Sequence, residues 1–181
     1  MRYTTTAVDG AIIIDLDPFT DDRGLFARTF DAEEFAAHGI DVGVAQCNLS
    51  YNHQAGTLRG LHRQVPPHAE GKLVRCTAGA IVDVAVDVRP ESPTYGQHVM
   101  VELTAENRRA LFIPAYVAHG YQTLVDGTEV TYQVSGPYVP GGEEGYRYDD
   151  PAFGISWPHE VTLISDKDAS WPLVASLEAA Q

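Results

Sequence analysis

The sequence predicts an all-β fold, because short segments rich in Val, Ile, Thr and Tyr recur between clusters of Gly, Pro and Asp. Only one segment has a clear helix pattern, and polar side chains line several of the predicted strands. Many short strands with so little helix indicate a sandwich or a barrel, and polar-lined strands favour a barrel that holds a ligand. The length of 181 residues suits one domain, 1–181, and 44% hydrophobic residues are enough for a full core.

The predicted strands follow one another at short intervals. They cover residues 10–15, 24–30, 44–50, 57–65, 73–77, 80–88, 99–103, 110–113, 120–125 and 128–134. The apolar run 11–14 does not alternate, which predicts a strand that is buried on both faces. Asp126-Gly127 between two strands predicts a hairpin, because the favoured two-residue turn needs positive φ at both positions.

The predicted helix covers residues 31–38. Asp31 is a suitable N-cap, Glu34 follows three residues later, and Gly39 ends the pattern. After Pro137 the chain is rich in Gly, Pro and acidic residues, and we expect only short helical or extended pieces there.

The charge and the cysteines exclude several classes of partner. A net charge of −13 repels phosphate backbones, so nucleic acid is not an expected partner. The chain has neither a signal-peptide pattern nor an apolar run that could span a bilayer, which predicts a cytoplasmic protein without membrane contact. Cys47 and Cys76 have no metal-ligand spacing, and free thiols are expected in place of a disulfide.

Chemistry-bearing residues concentrate in two segments, 59–64 and 71–75, which together hold an imidazole, fixed cations and an amide. In a regular strand Arg59, Leu61 and Arg63 share one face, and Gly60, His62 and Gln64 share the other. Turns at 56–58 and at Gly71 predict that the two segments lie side by side.

A double-sheet jelly roll of the cupin type, with short peripheral helices, is the predicted architecture. Cupins usually bind a metal through a His-x-His pair, a Glu and a later His. Here Gln64 follows His62 at the second position, so His62, Glu70 and His119 are scattered candidates without paired ligands. We therefore predict no metal and no other cofactor.

The chain resembles the dTDP-4-dehydrorhamnose 3,5-epimerases and related nucleotide-sugar epimerases over nearly its whole length. The matching segments are 19–24 (FTDDRG), 46–50 (QCNLS), 58–62 (LRGLH), 71–75 (GKLVR), 83–89, 92–94, 113–114, 118–120, 129–132, 138 with 140, 149–151, 157–158 and 165–168 (SDKD). The resemblance implies epimerisation at C3, C5 or both of a nucleotide-linked 4-keto-6-deoxyhexose, in deoxysugar biosynthesis.

Such a reaction needs a base, a group that holds the enolate oxygen, and an acid on the opposite face. His62 is a suitable base, and the resemblance nominates Asp168 as the carboxylate behind it. Lys72 can stabilise the C4 oxyanion. Tyr132 matches the proton donor of the family.

The remaining polar candidates suit a nucleoside diphosphate sugar. Arg23 and Arg59 offer forked donors to phosphate, and Tyr138 can contact the sugar or the nucleotide. The resemblance adds Gln46, Asn48, His119, Glu143 and Lys167 as substrate contacts, and it implies a homodimer whose N-terminal strands cross between subunits. Asp83 lies in an apolar run and needs a buried partner, which Lys72 or His62 could supply.

The chain also departs from the family pattern. Arg28 stands where a glutamate commonly contacts the nucleotide, Arg63 where an aromatic residue is frequent, and 96–98 (GQH) lacks the usual tryptophan. The segment 46–59 is also about one residue longer than is usual. These departures predict a shifted substrate preference. Three alternative hypotheses remain open here: a ketoisomerase of the same fold, a catalytically silent sugar-nucleotide-binding cupin, and a metal-dependent cupin.

Overall fold

The strands of the computed structural model, which describes residues 1–41 and 43–174, form two large antiparallel sheets and a separate hairpin. Within those residues the strands are β1 (Arg2–Thr5), β2 (Ile12–Asp15), β3 (Phe19–Asp21), β4 (Gly24–Phe26), β5 (Gln46–Asn52), β6 (Leu58–Gln64), β7 (Lys72–Ala78), β8 (Ala80–Val86), β9 (His98–Thr104), β10 (Ala110–Ile113), β11 (Ala118–Thr123), β12 (Thr128–Val134) and β13 (Glu143–Gly145). The helices are α1 (Ala32–Ala37) and α2 (Asp166–Ala169).

The order of the strands confirms the predicted jelly roll. One sheet has the order β1-β2-β10-β7-β12-β5 and the other β13-β6-β11-β8-β9. From β5 to β12 each strand crosses to the opposite sheet, except that β8 and β9 pair as neighbours in one sheet. This alternation between two facing antiparallel sheets is the double Greek-key pattern of a jelly roll.

The predicted hairpin at Asp126-Gly127 is wrong. Gly127 has the positive φ of +67° that the turn signal requires, but β11 pairs with β6 and β8, whereas β12 pairs with β5 and β7. The turn therefore carries the chain from one sheet to the other, and Asp126 lacks the positive φ that the two-residue hairpin turn also needs.

Segments 59–64 and 71–75 do not lie side by side as predicted. The first forms β6 in the five-stranded sheet and the second begins β7 in the six-stranded sheet. The two segments line opposite walls of one cavity, which brings their polar groups together across the interior.

The main core lies between the sheets, and smaller cores cover their outer faces. Strand β2 confirms the expected burial on both faces, because Ile13 packs on the central core and Ile12 and Ile14 pack on the cluster that contains Phe35 of α1. The helix begins as predicted, since the Asp31 carboxylate accepts a hydrogen bond from the Glu34 N–H at 3.1 Å.

The two cysteines are free thiols, as predicted, with Cys47 exposed and Cys76 buried. Burial raises the pKa of the Cys76 thiol to about 11. Among residues 1–41 and 43–174, no helix has the length and apolar character needed to cross a membrane.

Candidate active site

A polar cavity of about 460 Å³ opens between the two sheets. The five-stranded sheet supplies one wall and the six-stranded sheet supplies the facing wall. Its lining residues are Arg59, His62, Arg63, Gln64, His119, Gly120, Tyr121 and Glu143 on the first wall, Gln46, Asn48, Ser50, Lys72 and Tyr132 on the second, and Glu70, Tyr138 and Asp168 at the margins.

His62 and Asp168 form a tight pair on the first wall. The His62 Nε2 lies 2.6 Å from the Asp168 Oδ1, and the Asp168 Oδ2 accepts a hydrogen bond from the Gly60 N–H at 3.2 Å. Asp168 is buried in α2, whose N-cap Ser165 accepts a hydrogen bond from the Asp168 N–H. Burial alone would raise the pKa of Asp168, but the hydrogen bonds, with that from His62 the strongest, hold it below its ordinary value.

The other imidazole nitrogen of His62 faces the cavity. With Nε2 bound to the Asp168 carboxylate as a donor, Nδ1 keeps its lone pair and can accept a proton. The Glu143 Oε1 lies 3.5 Å from this Nδ1, and the same carboxylate forms an ion pair with Lys167 at the rim.

Strand β6 is irregular where it passes the cavity, so the predicted alternation of its faces is wrong. Its pairing with β11 changes register between His119 and Tyr121, next to Gly60. A Cβ on Gly60 would lie 2.5 Å from the Cα of Gly120, so the close approach of the two backbones excludes a side chain there. Because the register shifts, Arg59 and His62 both reach the cavity.

Lys72 and Tyr132 stand on the wall opposite His62. Lys72 is mostly buried, forms an ion pair with Glu70, and has its pKa lowered by burial to about 8. Burial raises the pKa of Tyr132 above its ordinary value, which keeps the phenol protonated near neutral pH. One wall thus carries a proton acceptor, and the other a cation and a proton donor.

The partner of Asp83 is His119, not Lys72 or His62 as predicted. The Asp83 Oδ1 lies 2.6 Å from the His119 Nε2, and the Asp83 carboxylate is completely buried. Burial raises the pKa of Asp83, against the opposing effect of His119. Within the described parts of the chain, the Asp83 Oδ2 has no hydrogen-bond partner.

Most of the predicted site residues converge on this cavity. Lys167 lies at the rim of the cavity, where it forms an ion pair with Glu143, and Asp83 lies behind His119. Tyr138 is about half exposed, and its N–H donates to the Gln46 Oε1 at 3.1 Å. Arg23 does not line the cavity of its own chain: it lies in the β3–β4 hairpin, where its side chain is 90% exposed and pairs with Asp21.

Sequence analysis did not assign Ser50 or Tyr121 to the site, and it considered Glu70 only as a metal-ligand candidate. Ser50 follows Gln46 and Asn48 at spacings of two, so strand alternation could have placed it on the same face. Tyr121 follows His119 at the same spacing in β11, which gives the same signal. Glu70 precedes Lys72, the first residue of β7, by two residues.

No group of three or more His, Cys, Asp or Glu side chains is placed to hold a metal ion among residues 1–41 and 43–174. The nearest approach to a ligand set is His62 with Asp168 and Glu143, in which the two carboxylates contact different nitrogens of one ring. That arrangement fits an imidazole that takes up and releases a proton.

The fold and the cavity define a class: a jelly-roll protein equipped for acid–base chemistry on two faces of one small molecule. Comparison with known proteins identifies the family. The model of the dTDP-4-dehydrorhamnose 3,5-epimerase family matches residues 5–176. The dTDP-4-dehydrorhamnose 3,5-epimerase of Sinorhizobium fredii is 49% identical over 178 residues, which cover 98% of this chain and 91% of the relative. This chain belongs to the dTDP-4-dehydrorhamnose 3,5-epimerase family.

Solved structures agree with this assignment. NovW, a 4-keto-6-deoxy sugar epimerase from Streptomyces spheroides, superposes with a TM-score of 0.93 at 34% identity, covering 99% of this chain and 90% of its own. The Legionella pneumophila epimerase in complex with dTDP-4-keto-L-rhamnose gives 0.90 at 38% identity, with 99% and 95% covered. ChmJ from Streptomyces bikiniensis, a 3'-monoepimerase in complex with dTDP-quinovose, gives 0.89 at 34%, with 97% and 89% covered.

Proposed function

We propose that the protein epimerises a nucleotide-linked 4-keto-6-deoxyhexose, a dTDP sugar in the first instance, through an enolate. The observation that carries this proposal is the placement of the His62–Asp168 pair on one wall of the cavity and Tyr132 on the facing wall. Inversion of a carbon requires proton removal on one face and proton return on the other, and binding alone requires neither.

In the first step, His62 removes the proton from a carbon next to the C4 ketone. The lone pair on Nδ1 takes the proton, the C–H electrons form a C=C bond, and the carbonyl electrons move onto the C4 oxygen. Asp168 stabilises the resulting imidazolium. The Lys72 ammonium stabilises the enolate oxygen, and in a cavity of low dielectric this attraction is stronger than in water.

In the second step, Tyr132 returns a proton from the opposite face. The enolate C=C electrons form the new C–H bond, the C4 ketone is restored, and the phenol becomes a phenolate. Proton exchange with water then returns His62 and Tyr132 to their starting states, so the reaction is balanced without a redox partner. Solvent hydrogen enters the product at each carbon that is inverted.

The other polar residues of the cavity bind the substrate in this proposal. Arg59, held by a hydrogen bond from its Nε to the Asn52 Oδ1 at 2.8 Å, contacts the diphosphate. Asp83 fixes the ring of His119 toward the substrate. The remaining contacts are Gln46, Asn48, Tyr138, Glu143 and, at the rim, Lys167.

The direct test is proton NMR of the purified protein with dTDP-4-keto-6-deoxyglucose in deuterated buffer, with and without a chelator. We expect chelator-resistant deuterium uptake with inversion at C3, C5 or both. Since the relatives include both 3,5-epimerases and a 3'-monoepimerase, the spectrum also assigns the carbon. Movement of the carbonyl to C3 would identify a ketoisomerase instead, and nucleotide-sugar binding without exchange would identify a silent binding protein.

We further infer a homodimer in which the β3–β4 hairpin reaches the partner's cavity. In the described part of the chain this hairpin pairs with no other strand, and all six of its residues are exposed. An isolated two-stranded hairpin is marginal in water, and Phe19 and Phe26 expose a large apolar surface, so a second copy is the occupant that stabilises it. Arg23 at its turn then contacts the substrate of the partner site.

Light scattering on the eluting protein tests the assembly. We expect the mass of a dimer, and Phe26→Ser should shift the population toward monomer without unfolding the jelly roll. A monomer at micromolar concentration would contradict this part of the proposal.

We also propose a cytoplasmic location. The free thiols support it, and fractionation of the native host would test it.

A further inference from the structure

The carboxylate that orients His62 does not lie on either sheet. Asp168 belongs to α2, a helix of four residues, and a single turn has little stability of its own. Something outside α2 must therefore set its position to within the tolerance of a 2.6 Å contact. The inference that follows rests on the proposed function, in which Asp168 supports His62.

The backbone on both sides of α2 is hydrogen-bonded to the jelly roll. Before the helix, the Thr162 N–H donates to the Gly56 carbonyl at 3.0 Å and the Leu58 N–H to the Leu163 carbonyl at 2.9 Å; after it, the Arg147 N–H donates to the Pro172 carbonyl at 3.4 Å. These bonds fix the chain that flanks α2. The seating of the helix itself then depends on side chains.

Trp171 lies next to Gly145 in the strand beside His62. Gly145 is the β13 residue that pairs with His62 in β6. A Cβ on Gly145 would overlap with the Cε2, Cδ2 and Nε1 atoms of the Trp171 indole. The φ of Gly145 lies outside the left-handed region, so the position requires glycine for space and not for backbone conformation.

The indole also lies against His62 and against Lys167, the residue before Asp168. Its ring lies edge-on to the His62 imidazole, with centroids 6.2 Å apart, and the Lys167 Nζ lies 5.5 Å from its centroid. The buried Trp171 Nε1 has no hydrogen-bond partner among the described residues. An unsatisfied buried donor is unfavourable, so the ring contributes through its shape and not through its N–H.

We propose that Gly145 and Trp171 form a positioning pair that seats α2 on the β13–β6 edge and so holds the Asp168 carboxylate against His62. The missing Cβ at position 145 lets the indole lie directly on the strand that pairs with the catalytic histidine. The ion pair between Glu143 and Lys167 is a second connection between β13 and α2.

The test uses Gly145→Ala, Trp171→Ala, Trp171→Phe and the double variant, with substrate deuterium exchange, kcat, KM and TDP affinity as readouts. We expect Gly145→Ala to lower kcat and the exchange rate about 30- to 100-fold, because a displacement of about 1 Å can cost 10²-fold. KM and TDP affinity should change less than about threefold, since the nucleotide contacts lie elsewhere. Trp171→Phe keeps the ring and should retain activity within about threefold.

Two comparisons distinguish positioning from general stability. The Gly145→Ala/Trp171→Ala double variant should be no slower than Trp171→Ala alone, because the overlap that Gly145→Ala creates is with the indole. Adding Trp171→Ala to Asp168→Asn should cause no further loss of kcat, since Asp168 is the residue through which Trp171 acts. Trp157→Ala is the matched control: its indole donates to the Tyr148 carbonyl in an outer core, so it should lower the Tm and leave kcat unchanged.

The proposal is overturned if Gly145→Ala and Trp171→Ala, like the Trp157→Ala control, lower the Tm but leave kcat per folded protein unchanged. It is also overturned if the effects of Trp171→Ala and Asp168→Asn add in full. If Gly145→Ala does not fold, Trp171→Phe against Trp171→Ala still decides the question. A wild-type protein without any exchange would refute the proposed function itself, and TDP affinity measured in parallel separates that result from a failure of the positioning pair.

Discussion

The cavity and the β3–β4 hairpin are built in opposite ways. In the cavity, ionised side chains are held by partners from the same chain, such as Asp168 by His62 and Lys72 by Glu70. In the hairpin, Phe19 and Phe26 are 77% and 70% exposed, and Arg23 pairs with the nearby Asp21. The polar groups of the cavity are buried and paired, whereas the large apolar side chains of the hairpin are exposed to solvent.

This difference separates the proposed chemistry from the proposed substrate binding. The proposed base His62 and the proposed acid Tyr132 lie on strands of the same chain, so we expect each protomer of the proposed dimer to assemble its own catalytic groups. Arg23 lies on a hairpin that does not line that cavity, so we expect its contribution to depend on a second copy. Variants of the two regions are therefore expected to fail in different ways.

His62→Ala should cause the largest loss. We expect exchange of the α proton to fall by about 10³–10⁴-fold, because the alanine methyl group cannot accept the proton. TDP affinity should remain near that of the wild type. His53→Ala, which removes an exposed histidine outside the cavity, is the control. An active His62→Ala protein would remove the assignment of the base.

Tyr132→Phe should separate the two half-reactions. The phenyl ring keeps the packing, but it cannot return a proton, so exchange on the His62 face should continue while inversion falls about 10²-fold. NMR in deuterated buffer measures both quantities in one sample. Tyr51→Phe, on a half-exposed tyrosine that lies outside the cavity, is the control. Equal losses of exchange and inversion would contradict the assignment of Tyr132 as the acid.

Much of the cavity wall could be predicted from sequence because its information is local. Strand β12 was predicted with its observed bounds, 128–134, since β-branched residues there lie between clear turn signals. The Asp31 cap could also be predicted from local sequence, because the hydrogen-bond donor and acceptor are three residues apart. Alternation along β5 likewise places Gln46 and Asn48 on one face.

The parts that sequence analysis missed depend on distant pairing. Asp83 meets His119 across 36 residues, and nothing near Asp83 in the chain distinguishes that partner from Lys72. The turn at Asp126-Gly127 crosses between sheets because β12 pairs with β5 and β7, a choice that the turn residues do not encode. Helix α2 has four residues, which is too short to show a period of 3.6.

Mixing two variants with different defects sharpens the comparison between the regions. Arg23→Ala should raise KM about tenfold or more through the loss of a charged phosphate contact, with little change in kcat. When Arg23→Ala and His62→Ala subunits are co-expressed at equal levels, about a quarter of the wild-type activity should return at low substrate. About half of the dimers are then mixed, and one of the two sites in each is intact. No recovery in mixed dimers isolated with two different tags would show that Arg23 acts within its own chain.

The pH dependence should report on Lys72. Burial lowers the pKa of its ammonium to about 8, so the positive charge is present below that pH and is lost as the pH rises through it. We expect kcat/KM to decline about tenfold per unit above pH 8. Lys72→Arg should lower the activity but remove this decline, because a guanidinium stays charged throughout the range. A decline that persists unchanged in Lys72→Arg would assign it to another group.

Substitution of Arg28, an exposed residue two positions after the end of β4, should have the smallest effect. Its guanidinium donates to the Asp31 Oδ2 at 2.8 Å, so part of its charge is already neutralised within the chain.

The exchange of Arg28 for a carboxylate should change the preference between bases. Thymine presents an N3–H donor to which a carboxylate can bind as acceptor and a guanidinium cannot, whereas cytosine presents an acceptor at N3. Arg28→Glu should therefore tighten TDP relative to CDP by up to about tenfold, the value of one charged hydrogen bond at an exposed site. The loss of the solvent-exposed ion pair with Asp31 should change the stability little. Calorimetric titration of both nucleotides into wild type, Arg28→Glu and Arg28→Gln measures the preference. If the TDP-to-CDP ratio is the same in all three proteins, Arg28 does not face the base, and the selectivity of the site is set within the cavity rather than by the hairpin side of the molecule.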